Sequence, residues 1–215
     1  MTIENDFRQQ FLGFALSCDA LRFGEFQTKS GRLSPYFFNS GQFNTGGTLR
    51  ALGGYFADAL LAANVSFDMA FGPAYKGIPL VSALAMGLAE KGHNAPYAFN
   101  RKEAKDHGEG GLIVGAPLKG RVVIVDDVVT AGTSVRESVA MIRAAGAIPA
   151  AVLIMVDRME RGTGARSAVQ EVEEDVGIPV IAIATLNDVM KMVAADPKLV
   201  VFKRKIDDYR AQYGV

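Results

Sequence analysis

Short apolar runs alternate with segments of helical periodicity over most of this chain. Val122 to Val125 is the clearest run: four branched residues with no polar alternation, as in a strand buried on both faces. Similar strands are predicted near Met69-Ala70-Phe71 and at residues 96–99, 151–156 and 180–184. Helical patterns at residues 80–91, 135–145, 168–176 and 187–194 lie between or after them. This alternation predicts an α/β fold, a mostly parallel sheet flanked by helices. Phe7, Phe11, Phe14 and Ala15 predict a first helix over residues 5–20. A second is expected over 48–63, with Asn44 or Thr45 near its start, and a terminal helix over 201–213. Between the first two helices, aromatic runs are broken by Ser30-Gly31-Arg32 and Ser34-Pro35, which predicts strands and turns outside the main sheet. No repeat or low-complexity linker interrupts the chain, so one domain over residues 1–215 is expected.

Residues 102–117 break the alternation. Lys102, Glu103, Lys105, Asp106, His107 and Glu109 mix with Gly108, Gly110, Gly111 and Gly115, and no period emerges. Charge and glycine without period predict a mobile loop, and loops of this length are usually functional or disordered.

The densest chemistry follows the Val122–Val125 run. Asp126 and Asp127 stand at the strand's end, then Val128-Val129-Thr130-Ala131-Gly132-Thr133-Ser134, and a helix is predicted from Val135. In open α/β sheets, ligands collect at the carboxyl ends of strands. Gly132 lets backbone N–H groups close on a phosphate, the hydroxyls of Thr130, Thr133 and Ser134 add donors, and the helix N-terminus favours an anion. The acids repel phosphate, so ribose hydroxyls and a phosphate-bound Mg²⁺ are their natural partners. The plainer alternative is a buried strand ending in an acidic turn.

Composition narrows the choices. Lys plus Arg and Asp plus Glu both total 23, so no net charge points to nucleic acid or an anionic membrane. A lone Cys18 excludes an internal disulfide. With only His93 and His107 beside it, a catalytic zinc site is improbable. No run reaches membrane-spanning length, and the apolar stretch from Phe11 soon meets Asp19, so a soluble cytoplasmic protein is expected. Two glycine patterns are decoys. Gly115 to Gly120 has Walker-like spacing, but Arg121-Val122 follows and the segment precedes a strand. Gly162-Thr163-Gly164 lacks a third glycine, Ser167 standing in its place.

The acidic strand end and its Thr-Ala-Gly-Thr loop closely resemble the phosphoribosyl pyrophosphate motif of the type I phosphoribosyltransferases. Four further segments resemble the orotate phosphoribosyltransferase family. Phe23-Gly24-Glu25-Phe26 with Lys29-Ser30-Gly31-Arg32 and Ser34 to Asn39 looks like its N-terminal hood, residues 20–47 plus part of the C-terminal region. Phe71-Gly72-Pro73-Ala74-Tyr75-Lys76-Gly77 is similar to its pyrophosphate loop. Phe99-Asn100-Arg101-Lys102 through Gly110 is similar to its catalytic loop. Asp157-Arg158 ends the strand that supplies an orotate contact.

The resemblance implies transfer of phosphoribose from phosphoribosyl pyrophosphate to orotate, with Mg²⁺. It implies that Lys105, His107, Asp126 and Asp127 are catalytic. Lys29, Tyr75, Lys76, Arg101, Lys102, Lys105 and His107 would bind phosphoribosyl pyrophosphate with residues Asp126 to Ser134, that is Val128, Val129, Thr130, Ala131, Gly132, Thr133 and Ser134 beside the acids. Phe37, Phe38, Thr130 and Arg158 would hold orotate. The metal would be carried by substrate and water, without a direct protein ligand. A homodimer with shared active sites is implied, and neither nucleic acid nor membrane is a partner. The residues fit this chemistry. Cleaving the anomeric C–O bond builds negative charge on the leaving pyrophosphate, which placed cations stabilise. A guanidinium can meet a carboxylate in a planar, two-bonded pairing. Read alone, two adjacent residues such as Phe37 and Phe38 are more often core, although strand neighbours face opposite ways, so both cannot enter the same core. Arg158 could equally make a surface salt bridge. A purine salvage phosphoribosyltransferase would share the phosphate loop but lack the hood match, and a non-catalytic regulator should show a basic stripe.

Overall fold

The computed structural model describes residues 6–28, 31–105, 111–162 and 164–215, with backbone alone for 104 and 105. The elements run α1 (Phe7–Ser17), β1 (Leu21–Gln27), β2 (Leu33–Phe38), α2 (Gly46–Ala62), β3 (Met69–Gly72), α3 (Gly77–Glu90), β4 (Tyr97–Lys105) and β5 (Gly111–Gly115). They continue β6 (Arg121–Val125), α4 (Thr133–Ala144), β7 (Ile148–Asp157), α5 (Ala168–Val176), β8 (Val180–Thr185), α6 (Leu186–Ala195) and α7 (Lys203–Tyr213). Six strands form one sheet in the order β5-β4-β3-β6-β7-β8, parallel except for the β4–β5 pair.

The strand pattern separates two cores. Ala70, Val123, Val125, Leu153 and Met155 face the side covered by α2 and α3, where Phe56, Leu60, Val81 and Leu84 pack. Their neighbours Met69, Phe71, Val122, Ile124, Val152 and Ile154 face α4 and α5, against Val135, Val139, Ile142, Val169 and Val172. Side chains one residue apart leave opposite faces of a strand, and both faces are covered, so these strands read as unbroken apolar runs. Helix starts are set by local chemistry. Thr45 caps α2 and Ser167 caps α5, each in a reciprocal box with the residue three positions on.

β1 and β2 form a separate antiparallel pair, as their aromatic runs predict. This hood rests on the C-terminal region. Phe23 stacks on Phe202, Tyr36 meets Tyr209 edge-on, and Lys205 pairs with Glu25. Phe38 points into the main core beside Phe11 and Phe43, whereas Phe37 stacks on Phe26 with Arg22 over both rings.

One expectation is corrected. Residues 102–117 read as a loop, but residues 102–105 continue β4 and Gly111–Gly115 form β5, paired antiparallel from Ala98↔Gly115 to Lys105↔Gly111. Backbone pairing holds this hairpin at the sheet's edge, where no buried face imposes a side-chain period.

The connections fix where a ligand can sit. The chain leaves β3 to pair β4 on one side, then returns to place β6 on β3's other side. The crevice at such a reversal lies at the carboxyl ends of β3 and β6, between the loops that follow them.

Candidate active site

Both loops at the reversal carry predicted site residues. Beyond β6 the chain stays registered on β7: the Asp126 N–H donates to the Leu153 carbonyl (3.0 Å) and the Met155 N–H to the Asp127 carbonyl (2.9 Å). The two acids are thereby fixed at the sheet's carboxyl edge. Gly132 is buried with φ +71°, and a Cβ there would lie 2.4 Å from Val172 Cγ2, so glycine is required on both counts. No side chain caps α4, and this bare helix N-terminus suits an anion. Arg136 braces the loop from behind, donating to the Ala131 carbonyl (2.6 Å) and pairing with Asp175.

The two carboxylates have different partners. Asp126 accepts the Asp127 N–H (2.9 Å) through Oδ1 and the Ser134 hydroxyl (2.8 Å) through Oδ2. Ser134 therefore donates to an acid, a use the sequence reading did not give its hydroxyl. Asp127 accepts the Val128 N–H (2.9 Å) on Oδ1, and on Oδ2 both the Ser40 hydroxyl (2.9 Å) and Lys76 Nζ (2.5 Å). Burial raises the Asp126 carboxyl above the usual range; the hydrogen bonds from Ser134 and Asp127 only partly oppose this.

A raised pKa means that ionised Asp126 weakens the fold. The penalty is absent below the unfolded value, about 3.9, and grows as pH climbs through the folded value. Asp126→Asn keeps the shape and removes the charge. It is expected to melt above wild type at pH 7 and to lose that advantage below about pH 4, as thermal scans across pH would reveal.

The β3 loop meets the acids from across the crevice. Gly77 is wedged so that a Cβ would lie 2.5 Å from Pro73 Cδ and 2.9 Å from the Val125 carbonyl, which seats the start of α3 against the end of β6. The Ala74–Tyr75 peptide is cis. The Ala74 N–H donates to Asn100 Oδ1 (2.8 Å), and Asn100 Nδ2 donates to the Arg101 carbonyl (3.0 Å), tying this loop to β4. Tyr75 is exposed, and Lys102 Nζ lies 5.2 Å from its ring. Arg101 donates to the Gly111 carbonyl across the hairpin (3.1 Å). A cavity of about 420 Å³, lined by Ser40, Asn44, Leu49, Lys76 and Met155, opens beside Asp127.

Arg158 follows β7 and sits over the Tyr36 ring, 4.5 Å from its centroid. Its Nε (2.7 Å) and Nη2 (2.6 Å) both reach Glu160 Oε1, and Nη2 also donates to Ser34 Oγ (3.1 Å). The Tyr36 hydroxyl is buried without a partner among the described residues, and burial pushes its phenol up.

The structure thus brings Lys76 and Asp127 into contact and sets Asp126, residues Val128 to Ser134, Tyr75 and Lys102 around the same crevice. Lys29 and His107 lie outside the described residues, and so does the side chain of Lys105. Ser40, Asn100 and Arg136 were not singled out from sequence. Asn100 could have been, because it follows the predicted strand 96–99 at its carboxyl end. Of the second decoy, Gly162 and Gly164 each lie against a carboxylate: a Cβ on Gly162 would lie 2.7 Å from Glu171 Oε2, and the Gly164 N–H donates to Glu171 Oε1 (3.4 Å). Among the described residues, no group of three or more His, Cys, Asp or Glu could hold a metal, and no helix is long and apolar enough to cross a membrane.

Sheet order, acidic strand end and open phosphate loop define a phosphoribosyltransferase, and the phosphoribosyl transferase domain family matches residues 43–186. Over 210 residues the chain is 59% identical to orotate phosphoribosyltransferase of Neisseria meningitidis serogroup C, covering 98% of this chain and 99% of the relative. A crystal structure of orotate phosphoribosyltransferase from Francisella tularensis superposes with TM-score 0.86 at 40% identity, over 96% of this chain and 100% of that one. The Mycobacterium tuberculosis enzyme, solved with 5-phospho-α-D-ribosyl 1-diphosphate, shares the fold at TM-score 0.62 and 21% identity, over 85% and 98% of the two chains. The chain belongs to the orotate phosphoribosyltransferase family.

Proposed function

We propose that this chain is a cytoplasmic, Mg²⁺-dependent enzyme of pyrimidine biosynthesis. It transfers the 5-phosphoribosyl group from phosphoribosyl pyrophosphate to orotate, giving orotidine 5′-monophosphate and pyrophosphate. The observation that carries the reading is the meeting of the β3 and β6 loops at the sheet reversal, with Lys76 on Asp127 and an uncapped helix N-terminus beside them.

The 5′-phosphate takes the N–H groups of the Gly132 loop, and Asp126 and Asp127 accept from the ribose hydroxyls. Lys76 reaches the pyrophosphate by leaving Asp127, joined by Lys29, Tyr75 and the loop cations Arg101, Lys102, Lys105 and His107. As the anomeric C–O bond breaks, these groups balance the charge that develops on the leaving oxygens. Orotate lies near Phe37, Phe38 and Thr130, with its carboxylate at Arg158. Paired hard oxygens at Asp126 and Asp127 suit the outer sphere of Mg²⁺ held by substrate and water. When bound, the metal neutralises part of the pyrophosphate charge.

We further propose a homodimer with shared sites. Tyr75, Met86, Tyr97 and Leu112 are large apolar residues left exposed on elements at the β5 side of the sheet, which suits burial against a second copy.

A spectrophotometric assay of orotate loss, with uracil and hypoxanthine as controls, tests the reading. Orotate must be consumed only with phosphoribosyl pyrophosphate present, and preference for hypoxanthine would replace the proposal with purine salvage. Arg158→Lys keeps charge but loses the planar donor set. Its KM for orotate is expected to rise by the equivalent of about 1–3 kcal/mol, with a smaller change for phosphoribosyl pyrophosphate. Equal changes in both constants would assign Arg158 to architecture alone.

A further inference from the structure

Glu160 gathers donors from three separate parts of the chain. Its Oε1 accepts from Arg158 Nε and Nη2 and from the Tyr209 hydroxyl of α7 (3.0 Å), while Arg32 Nη1 of the hood approaches Oε2 (3.6 Å). Arg158 and Glu160 are only two residues apart. They can meet because Asp157 Oδ1 accepts the Met159 N–H (2.8 Å) and Met159 adopts φ +51°, folding the chain back on itself. A non-glycine residue in the left-handed region is uncommon and persists only where surrounding contacts hold it. Here they do: the C-terminal segment runs alongside, with Val215 N–H on the Met159 carbonyl (3.0 Å) and Arg161 N–H on the Tyr213 carbonyl (2.8 Å).

The guanidinium is thereby confined on three sides. The Tyr36 ring lies beneath it, Glu160 takes its Nε–Nη2 edge, and Ser34 takes the remaining Nη2 proton. Nη1 takes part in none of these contacts, and the Tyr209 hydroxyl lies against the guanidinium as well as against Glu160.

We propose that Glu160 is a positioning residue for substrate recognition, a clamp completed by Tyr209 that holds the Arg158 guanidinium in the orientation that meets the orotate carboxylate. This rests on the reading of Arg158 as the orotate contact. It makes the terminal helix part of base selection, although α7 lies outside the matched family domain at residues 43–186.

Glu160→Gln separates the clamp from simple electrostatics, because the two predict opposite signs. Removing a negative charge beside Arg158 and Arg32 should attract anionic orotate more strongly if only net charge matters. Loss of aim should weaken orotate instead. The clamp predicts an orotate KM raised roughly 5- to 20-fold, with the KM for phosphoribosyl pyrophosphate within about twofold of wild type. Tyr209→Phe keeps the ring and the ion pair, and should shift orotate KM in the same direction by less. In an Arg158→Ala background Glu160→Gln should add almost nothing to orotate KM, since it acts through a side chain no longer present.

An orotate KM that falls, stays constant or changes equally with that of phosphoribosyl pyrophosphate overturns the clamp. If Glu160→Gln does not fold, Tyr209→Phe decides, and a wild-type orotate KM there overturns it. The underlying reading fails separately: Arg158→Ala would then leave the orotate KM near wild type, or shift both substrate constants equally, whatever Glu160 does.

Discussion

Protein carrying Asp126→Asn together with Asp127→Asn is expected to fold and to turn over orders of magnitude more slowly than wild type. Each acid supplies both charge and placement, so roughly 10²-fold or more per site is anticipated. Losses at the two positions should not simply multiply, because the Asp127 N–H is itself bonded to Asp126. Asparagine can keep most of the local hydrogen bonds. Its amide nitrogen can donate to Ser134 Oγ, and its oxygen can still accept the Asp127 N–H. At position 127 the ion pair with Lys76 is lost and the amine is freed. KM for phosphoribosyl pyrophosphate should therefore change less than kcat, since a released Lys76 still attracts pyrophosphate while the ribose loses its acceptors. Turnover close to wild type, with the metal dependence unchanged, would remove both acids from the reaction.

The sheet and its crevice were legible because burial on both faces leaves an unbroken apolar record, as in Val122 to Val125, and glycine marks the phosphate turn at Gly132. The β4–β5 hairpin was not legible. It is held by backbone pairing at an edge, and Lys102 and Glu103 on it stay exposed, so no burial pattern reached the sequence. The supporting contacts are hidden for another reason. Asn100 reaches Ala74 across 26 positions and Tyr209 reaches Glu160 across 49. Nothing local distinguishes an asparagine that braces a loop from one that faces water. Arg158 was legible as a residue type at a strand end, but its orientation depends on Ser34, 124 positions away.

Mixing inactive Lys105→Ala protein with inactive Asp127→Asn protein is expected to restore activity. Phe99 pairs with Gly72, the last residue of β3, yet β4 runs six residues further, from Asn100 to Lys105. Asn100 stands opposite Ile113 and Lys105 opposite Gly111, so this stretch is bulged and passes the end of β3 by less than its residue count would give. If Lys105 serves the neighbour's site, a mixed dimer gathers both lesions in one site and leaves the other with Lys105 and Asp127 intact. Equal mixing with free exchange makes about half the dimers mixed, each with one working site, so recovery should approach about a quarter of wild-type activity. If the loop served its own chain, every site would keep a lesion and no activity would return. Subunit exchange must be followed independently, with differently tagged copies co-purified before assay. Tagged heterodimers without recovered turnover would defeat the shared site while leaving the reaction assignment in place.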